Sequence, residues 1–597
     1  MSRCRDTLSG MRDSGRTFLG TCIVAGLLVA AVGACSSAGG TNLPVTEGGG
    51  GEGGSSTTGG KGGTGFLGGG GKQPGGTSST EGGGGSINPT GGTSSGGTGN
   101  PTGDPNTCEG AAELKSYVGC DYWPTVTANL VWSVFDFAAV VVNAGTEPAE
   151  VTVTRGGQEV ATATVAPDSV EKIYLPWVSD LKGPDTDTCG SATPITKTVG
   201  VKGGAYHLVS SRPVSVYQFN ALEYQGKGGP PGKSWSSCPG NNICNQSFEP
   251  IGCFSFSNDA ALLLPTTALT GNYRVSAPRS YDFAGQGIGS FFSITGTEDG
   301  TNVTVKLSST GATYAGAGIT AKASGDVVSF KINQGDVLQL MGKAAGDLSG
   351  SQVQADKPVQ VIAGNPCTNV PSQETQACDH LEQSMLPTET LGKHYVVAAA
   401  TGPNGNTPGQ VVRILGNVDG TKLTYKGNKP AGAPTTINAG QLVDLGLTSA
   451  SFEIEGDHEF SVALFMPGGS LLDPAGGQTS KGDPSMSVSV AVEQYRKKYV
   501  FLAPDDYDIN VADVIAPNGA TLTLDGKKIT GTPAAISGTE FSVYRLKLGA
   551  GQAGAHILES DQPVGLQVMG YGSYTSYQYP GGANLSIIAP KPPPIIG

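Results

Sequence analysis

The sequence predicts an all-β protein: about four related β-sandwich units in tandem behind a disordered Gly/Ser/Thr-rich linker, with a β-propeller-like array as the alternative arrangement. Three observations predict it. One strand-rich pattern recurs four times between residues 139 and 568, each time reaching a short apolar return strand. The returns are Arg212-Pro213-Val214-Ser215-Val216, Lys357-Pro358-Val359-Gln360-Val361, Glu459-Phe460-Ser461-Val462 and Gln562-Pro563-Val564-Gly565-Leu566. Repetition of this kind makes each unit one supersecondary block packed beside its neighbours. Charged residues are only 14% of the chain and Gly is abundant, as half-buried strands and tight turns require. Finally, 29 of the 71 positions from 36 to 106 are Gly. A segment with so little to bury cannot offset the entropy of ordering.

From the start of the chain, Arg3, Arg5, Arg12 and Arg16 precede an apolar stretch from Phe18 to Val32, closed by Val32-Gly33-Ala34-Cys35. A positive n-region, a short apolar core and a small-residue end read as a signal peptide over 1–34 rather than a membrane span. The Val-Gly-Ala-Cys ending resembles a bacterial lipobox, which implies a lipid anchor on Cys35 worth about 0.8 kcal/mol per buried CH₂. The expected location is the outer membrane, exposed at the cell surface. Residues 35–106 then read as a flexible tether spanning about 45–50 Å.

The β units are placed at 107–256, 257–383, 384–494 and 495–590, with 591–597 as a tail. Each of the last three opens on an aromatic-led strand, at Tyr273, Tyr395 and Tyr499. A second strand leads to a turn at Asn143-Ala144-Gly145, Asp299-Gly300, Asp419-Gly420 or Asn518-Gly519. Such pairs favour positive φ and signal hairpins. The strand after each turn alternates, as in Val303-Thr304-Val305, so one face is buried and one is wet. The return strand closes the unit, and its proline, which cannot donate to a ladder, should begin the strand or sit at an edge.

Eight cysteines follow Cys35: Cys108, Cys120, Cys189, Cys238, Cys244, Cys253, Cys367 and Cys378. An even count in an exported chain argues for disulfides, although eight cysteines allow 105 connectivities. Cys367 with Cys378 and Cys108 with Cys120 are the first pairs expected; the other four staple long insertions of the first unit. No C-x-x-C pair supports zinc.

Asp505, Asp506 and Asp508 form the densest acidic patch. They are the calcium candidates, since calcium favours oxygen-rich loops; a solvated loop is the alternative. No other cofactor is expected. Asp379-His380-Leu381-Glu382 reads as a hydrogen-bonded loop staple, because a metal or catalytic site needs further convergent ligands. All four tryptophans lie between Trp123 and Trp235. Trp132 reads as core, whereas Trp177 and Trp235 are the candidate ligand contacts, as stacking faces for sugar or anchors for a protein. Net charge of −13 excludes a nucleic-acid footprint, and no Walker, dinucleotide or nucleophile-elbow motif stands in its required context.

Several stretches together resemble the IgGFc-binding protein N-terminal domain family: Ile294 to Thr301, Asp356 to Asn365, Asp379 to Gln383, Leu386 to Val397, and Tyr574 to Gly582. The resemblance covers roughly residues 117–590. The tether and the opening from Ser116 to Pro124 resemble surface lipoproteins of the myxobacterial kind. The resemblance implies an adhesive β scaffold and does not carry Fc binding over. The tether, the repeats and the lack of a catalytic set point to a binding protein rather than an enzyme, with a glycan or glycoprotein partner besides the membrane reached through the lipid anchor. A structural envelope or matrix component is the second reading, and a calcium-dependent hydrolase the third.

Overall fold

The computed structural model describes residues 105–193, 195–244, 250–281, 287–548 and 554–596. The leader, Cys35 and most of the tether lie outside the described residues.

The second unit shows the plan. Its own radial strands run, outermost to centre, Val337–Met341, Phe291–Gly296, Val359–Thr368 and Asp379–Ser384, with Val199–Val201 from the first unit's insertion added at the rim. Its flanking sheet runs Val327–Ile332, Thr301–Lys306, Gln352–Ala355 and Asn272–Arg274. All these pairings are antiparallel. The third unit repeats both orders, with Leu442–Thr448, Gln410–Gly416, Phe460–Met466 and Ser485–Val488 in the radial sheet. In the first and fourth units one unbroken strand, Tyr206–Phe219 or Gly554–Gly572, serves both sheets. Each unit is therefore a two-sheet sandwich. The four innermost strands, Ala260–Leu262, Asp379–Ser384, Ser485–Val488 and Thr575–Pro580, touch one another in cyclic order. Sandwich and propeller-like ring are thus both present: four sandwiches, each contributing one radial blade.

Burial follows from this arrangement. The second strand of each radial sheet is covered on both faces, as in Phe137–Asn143, Phe291–Gly296 and Gln410–Gly416. Phe137, Ala139 and Val141 pack on the first unit's own flanking sheet. Ala138, Val140 and Val142 between them pack into the core of the fourth unit. Flanking strands alternate instead, as Val303 and Val305 are buried while Asn302 is exposed. The ring closes where the Tyr117 amide donates to the Ala583 carbonyl at 3.2 Å and the Leu585 amide to the Lys115 carbonyl at 2.8 Å.

A tyrosine joins the two sheets in every unit. The hydroxyls of Tyr122, Tyr273, Tyr395 and Tyr499 donate to the carbonyls of Val214, Val359, Phe460 and Val564 at 2.5–2.6 Å. Those carbonyls begin the return strands. Tyr122 is the first unit's counterpart of the three tyrosines recognised in the sequence.

Three sequence expectations are corrected, two of them in the turns and return strands. The Asp299-Gly300 and Asp419-Gly420 turns do not close hairpins: Phe291–Gly296 and Thr301–Lys306 lie in different sheets, as do Gln410–Gly416 and Thr421–Gly427. Positive φ at Gly300 and Gly420 (70° and 72°) is real, but the turn carries the chain across the sandwich because both edges of the preceding strand are already taken. The two-residue hairpins are at Gly156-Gly157 and Asp525-Gly526, with positive φ at both positions, as a type I′ turn demands. Nor does the return strand close the unit, since the innermost strand follows it. Pro213 and Pro563 lie within long strands, where the chain leaves the flanking sheet for the radial sheet and no ladder donor is needed.

At the centre lies Asp259, fully buried. Its Oδ1 accepts from the amides of Ala260 at 2.9 Å and Gln578 at 3.4 Å. Its Oδ2 accepts from Met486 at 3.0 Å and Glu382 at 3.1 Å. Ala260, Glu382, Met486 and Gln578 pair with equivalent positions of their return strands, so one carboxylate takes one amide from each blade. Asp379-His380-Leu381-Glu382, read as a loop staple, lies in an innermost strand instead; its polar side chains are buried, and Glu382 accepts from Thr127 at 2.7 Å and Gln218 at 3.0 Å. Each buried donor left unpaired costs about 1–3 kcal/mol. Asp259→Ala is therefore expected to destabilise the protein by about 4 kcal/mol or more, read as a lower denaturation midpoint; a shift under about 1 kcal/mol would contradict the assignment.

Candidate functional site

Insertions of the first unit build a second, smaller core outside the ring. Cys189–Cys244 joins two of them and Cys238–Cys253 closes the longer one. Cys108–Cys120 ties the short helix Cys108–Leu114 to strand Gly119–Tyr122, and Cys367–Cys378 closes the loop before an innermost strand. Val131, Trp132, Phe135, Cys238 and Ile251 are buried together, with Trp177 and Trp235 only partly covered. A tethered loop of this kind is held where free backbone could not hold it.

Trp132 is core, 3% exposed. Trp235 lies tilted on Phe135, centroids 5.0 Å apart, and donates its Nε1–H to the Gly228 carbonyl at 3.1 Å. The Lys233 ammonium sits 4.9 Å from its ring centroid. Trp177 donates to the Phe135 carbonyl at 2.7 Å, with Lys182 Nζ 5.5 Å from its ring. Both indoles are thus fixed in orientation and retain an open part.

Beside Trp235 lies a set of carboxylates from two units. Lys233 Nζ binds both oxygens of Asp136, at 2.9 and 2.8 Å. The Asp136 amide donates to Glu223 Oε2 at 3.1 Å, while buried Glu223 Oε1 has no partner among the described residues. Asp136 Oδ2 and Glu223 Oε1 both face Gly229, where a Cβ would stand 3.3 Å from each. Across the unit boundary, a Cβ on Gly228 would lie 3.8 Å from Asp506 Oδ1. Positive φ at both glycines, 76° and 88°, suits residues without side chains at this close approach.

The structure brings Asp505 and Asp506 together under one cation: Lys172 Nζ lies 2.6 Å from each. Asp508 accepts from Tyr224 at 2.9 Å and pairs with Lys481 at 2.6 Å. All three calcium candidates therefore already carry a lysine partner. A separate group, His394, Glu453 and Glu455, has ligand atoms within 4.8 Å of one another, bridged by Lys426 at 2.9 and 2.8 Å. Lys172, Asp136 and Glu223 were not singled out in the sequence; Lys172 lies within strand Ser169–Leu175, Asp136 just before Phe137–Asn143 and Glu223 beyond the end of Tyr206–Phe219, so they carry no local motif.

Burial, then the charge of Asp136, pushes the Glu223 carboxyl up to about 8. Burial likewise raises Asp506, despite Lys172. Tyr174 is raised by burial and by the field of Glu223, Asp506, Asp136 and Asp505. The face thus offers carboxylate acceptors, ammonium and phenol donors, and a half-open indole plane. That combination hydrogen-bonds hydroxyls and stacks on an apolar face.

The fold and this face together define a β-rich binding scaffold. The chain belongs to the IgGFc binding protein family, whose model matches residues 259–570, just over half of the chain. It is 28% identical over 340 residues to the IgGFc-binding protein of Homo sapiens, a match covering 56% of this chain and 6% of that protein's length. A solved structure, the anti-sigma factor domain-containing protein from Clostridium clariflavum, is 12% identical over 54% of this chain and 83% of its own, with a TM-score of 0.10. That likeness carries no argument.

Because Glu223 titrates near 8 when folded and near 4.5 otherwise, the native state holds an extra proton between those values. Its contribution to stability is full below the lower value and lost as pH rises through the higher one. Glu223→Gln is expected to lose less thermal stability than the parent between about pH 5 and about pH 9. Parallel melting profiles for the two proteins would refute the buried, protonated carboxyl.

Proposed function

We propose that this chain is a lipid-anchored surface protein, held through Cys35 and lifted on the Gly-rich tether, that binds an extracellular glycan or glycoprotein. Contact is made through the face built by the first unit's insertions and the 505–508 loop. The observation carrying this reading is the meeting of Trp235 with Asp136, Glu223 and Asp506 around Gly228-Gly229. An indole plane beside carboxylates and ammonium groups suits a polyhydroxylated ligand: sugar C–H faces stack on the ring and hydroxyls bridge the charges. Family membership supports a binding role, since the human relative is named for binding IgG Fc. For this chain, Fc is one glycoprotein among the ligands to be tested.

The test is binding of the full chain to an array of glycans and glycoproteins, IgG included. A saturable ligand is expected, with affinity falling about tenfold or more (about 1.4 kcal/mol) in Trp235→Ala at unchanged melting temperature. A blank array from folded protein would favour a structural role in the envelope or matrix instead.

A further inference from the structure

Far from that face, a cleft of about 860 Å³ opens between the second and third units. It is of the size that takes small ligands, roughly 300–1,000 Å³. Its floor forms where the two units touch through backbone: a Cβ on Gly350 would fall 2.3 Å from the Gly440 carbonyl oxygen. Both glycines have positive φ, 95° and 73°. Side chains at either position would push the units apart or fill the cleft, and Gly440 leaves room for Arg274, whose Nη1 would lie 3.1 Å from a Cβ there.

The charges lining this cleft are not balanced. Arg413 is spent internally: it donates to the Ala277 carbonyl at 2.6 Å, pairs with Asp347, and lies 3.4 Å from Asp444. Arg274, Arg279 and Lys306 remain. Arg274 donates to the Gly350 carbonyl at 3.0 Å and reaches Asn417 at 3.5 Å, both neutral acceptors. Arg279 lies over the Tyr281 ring at 5.7 Å. Among the described residues, none of the three has a carboxylate within ion-pair distance. Asp419 is the one further acid on the wall; its charge acts on Arg274 from a distance, and burial still lowers that guanidinium to about 10. The lining thus carries four cations against three carboxylates, and Arg279 and Lys306 have no ion-pair partner among the described residues, a positive cleft in a chain of net charge −13. Neighbouring hydroxyls of Ser309 and Thr310 and the backbone of Gly440 add neutral polar contacts on the wall.

We infer that this cleft is an anion-binding site for an acidic saccharide, whose carboxylate or sulfate group is taken by Arg274, Arg279 and Lys306. A guanidinium presents paired N–H donors to a planar or tetrahedral oxyanion, and an ammonium supplies a point charge beside them. Asp347 and Asp444, held by Arg413, line the same cleft and accept from sugar hydroxyls. The site stands apart from the Trp235 face and does not depend on that face binding anything.

The experiment uses the full chain with three probes of equal length: an oligogalacturonate, a sulfated oligosaccharide and a neutral oligosaccharide, followed by titration calorimetry. At least one acidic probe is expected to bind saturably, about tenfold or more tighter than the neutral one, and to weaken as salt rises. Charge reversal at the exposed pair, Arg279→Glu with Lys306→Glu, should abolish that preference while the melting temperature holds. Trp235→Ala should leave it unchanged. Equal affinity for all three probes, no binding of either acidic probe, or a preference that survives the charge reversal would overturn the inference. Loss of acidic-probe binding in Trp235→Ala alone would overturn it too, and would place saccharide recognition on the first unit.

Discussion

The four sandwiches of the ring are arranged around a single buried carboxyl group. Asp259 collects one amide from each of four innermost strands. Four converging edge strands would otherwise bury unpaired donors, a cost no blade could meet alone. Burial pushes the Asp259 carboxyl well up, and the amides of Met486, Ala260 and Glu382 offset that only in part. The same residue thus satisfies donors from all four units and fixes their distance from the axis. Around it, Asp379 accepts from the amides of Asn258 and His380, both at 2.7 Å, and Asp483 accepts from Gly469 at 3.2 Å and Ala377 at 3.3 Å.

Outward from that axis the architecture follows from which faces must be covered. A radial strand has its own flanking sheet on one side and the next unit on the other, so its residues are buried in succession. A flanking strand meets solvent on one side, so it alternates. The tyrosine hydroxyls then fix the angle between the two sheets of each unit at the start of the return strand. The two proposed ligand faces lie in the insertions on the first unit and at the seam between the second and third. The family match begins at Asp259, so the insertions carrying Trp177 and Trp235 lie outside the matched segment, while the lining residues of the second-to-third-unit cleft lie within it.

Strand identity, unit number and two disulfide partnerships were legible in the sequence, because strand formers, turn glycines and paired cysteines act locally. The innermost strands were not legible as a repeat. Ala260-Ala261-Leu262 and Asp379 to Ser384 share no pattern because each faces a different neighbour across the axis. Tyr122 escaped notice as the fourth tyrosine because Trp123 follows it where the other units have Arg or Val. Trp235 and Asp505 to Asp508 were separate candidates in the sequence. Their meeting depends on two side-chain-free residues, Gly228 and Gly229, and on the closure of the ring between its first and last units. Such a juxtaposition is set by tertiary contact alone, and no local motif encodes it.

The four sandwiches form one body, locked at the axis, rather than four beads on a string. Native-state hydrogen exchange on the amides of Ala260, Glu382, Met486 and Gln578 tests it most directly. One cooperative body predicts that all four exchange only through global opening, with the same free energy and the same dependence on denaturant. Four different opening energies, with any one amide exchanging by a local or single-unit opening, would contradict it.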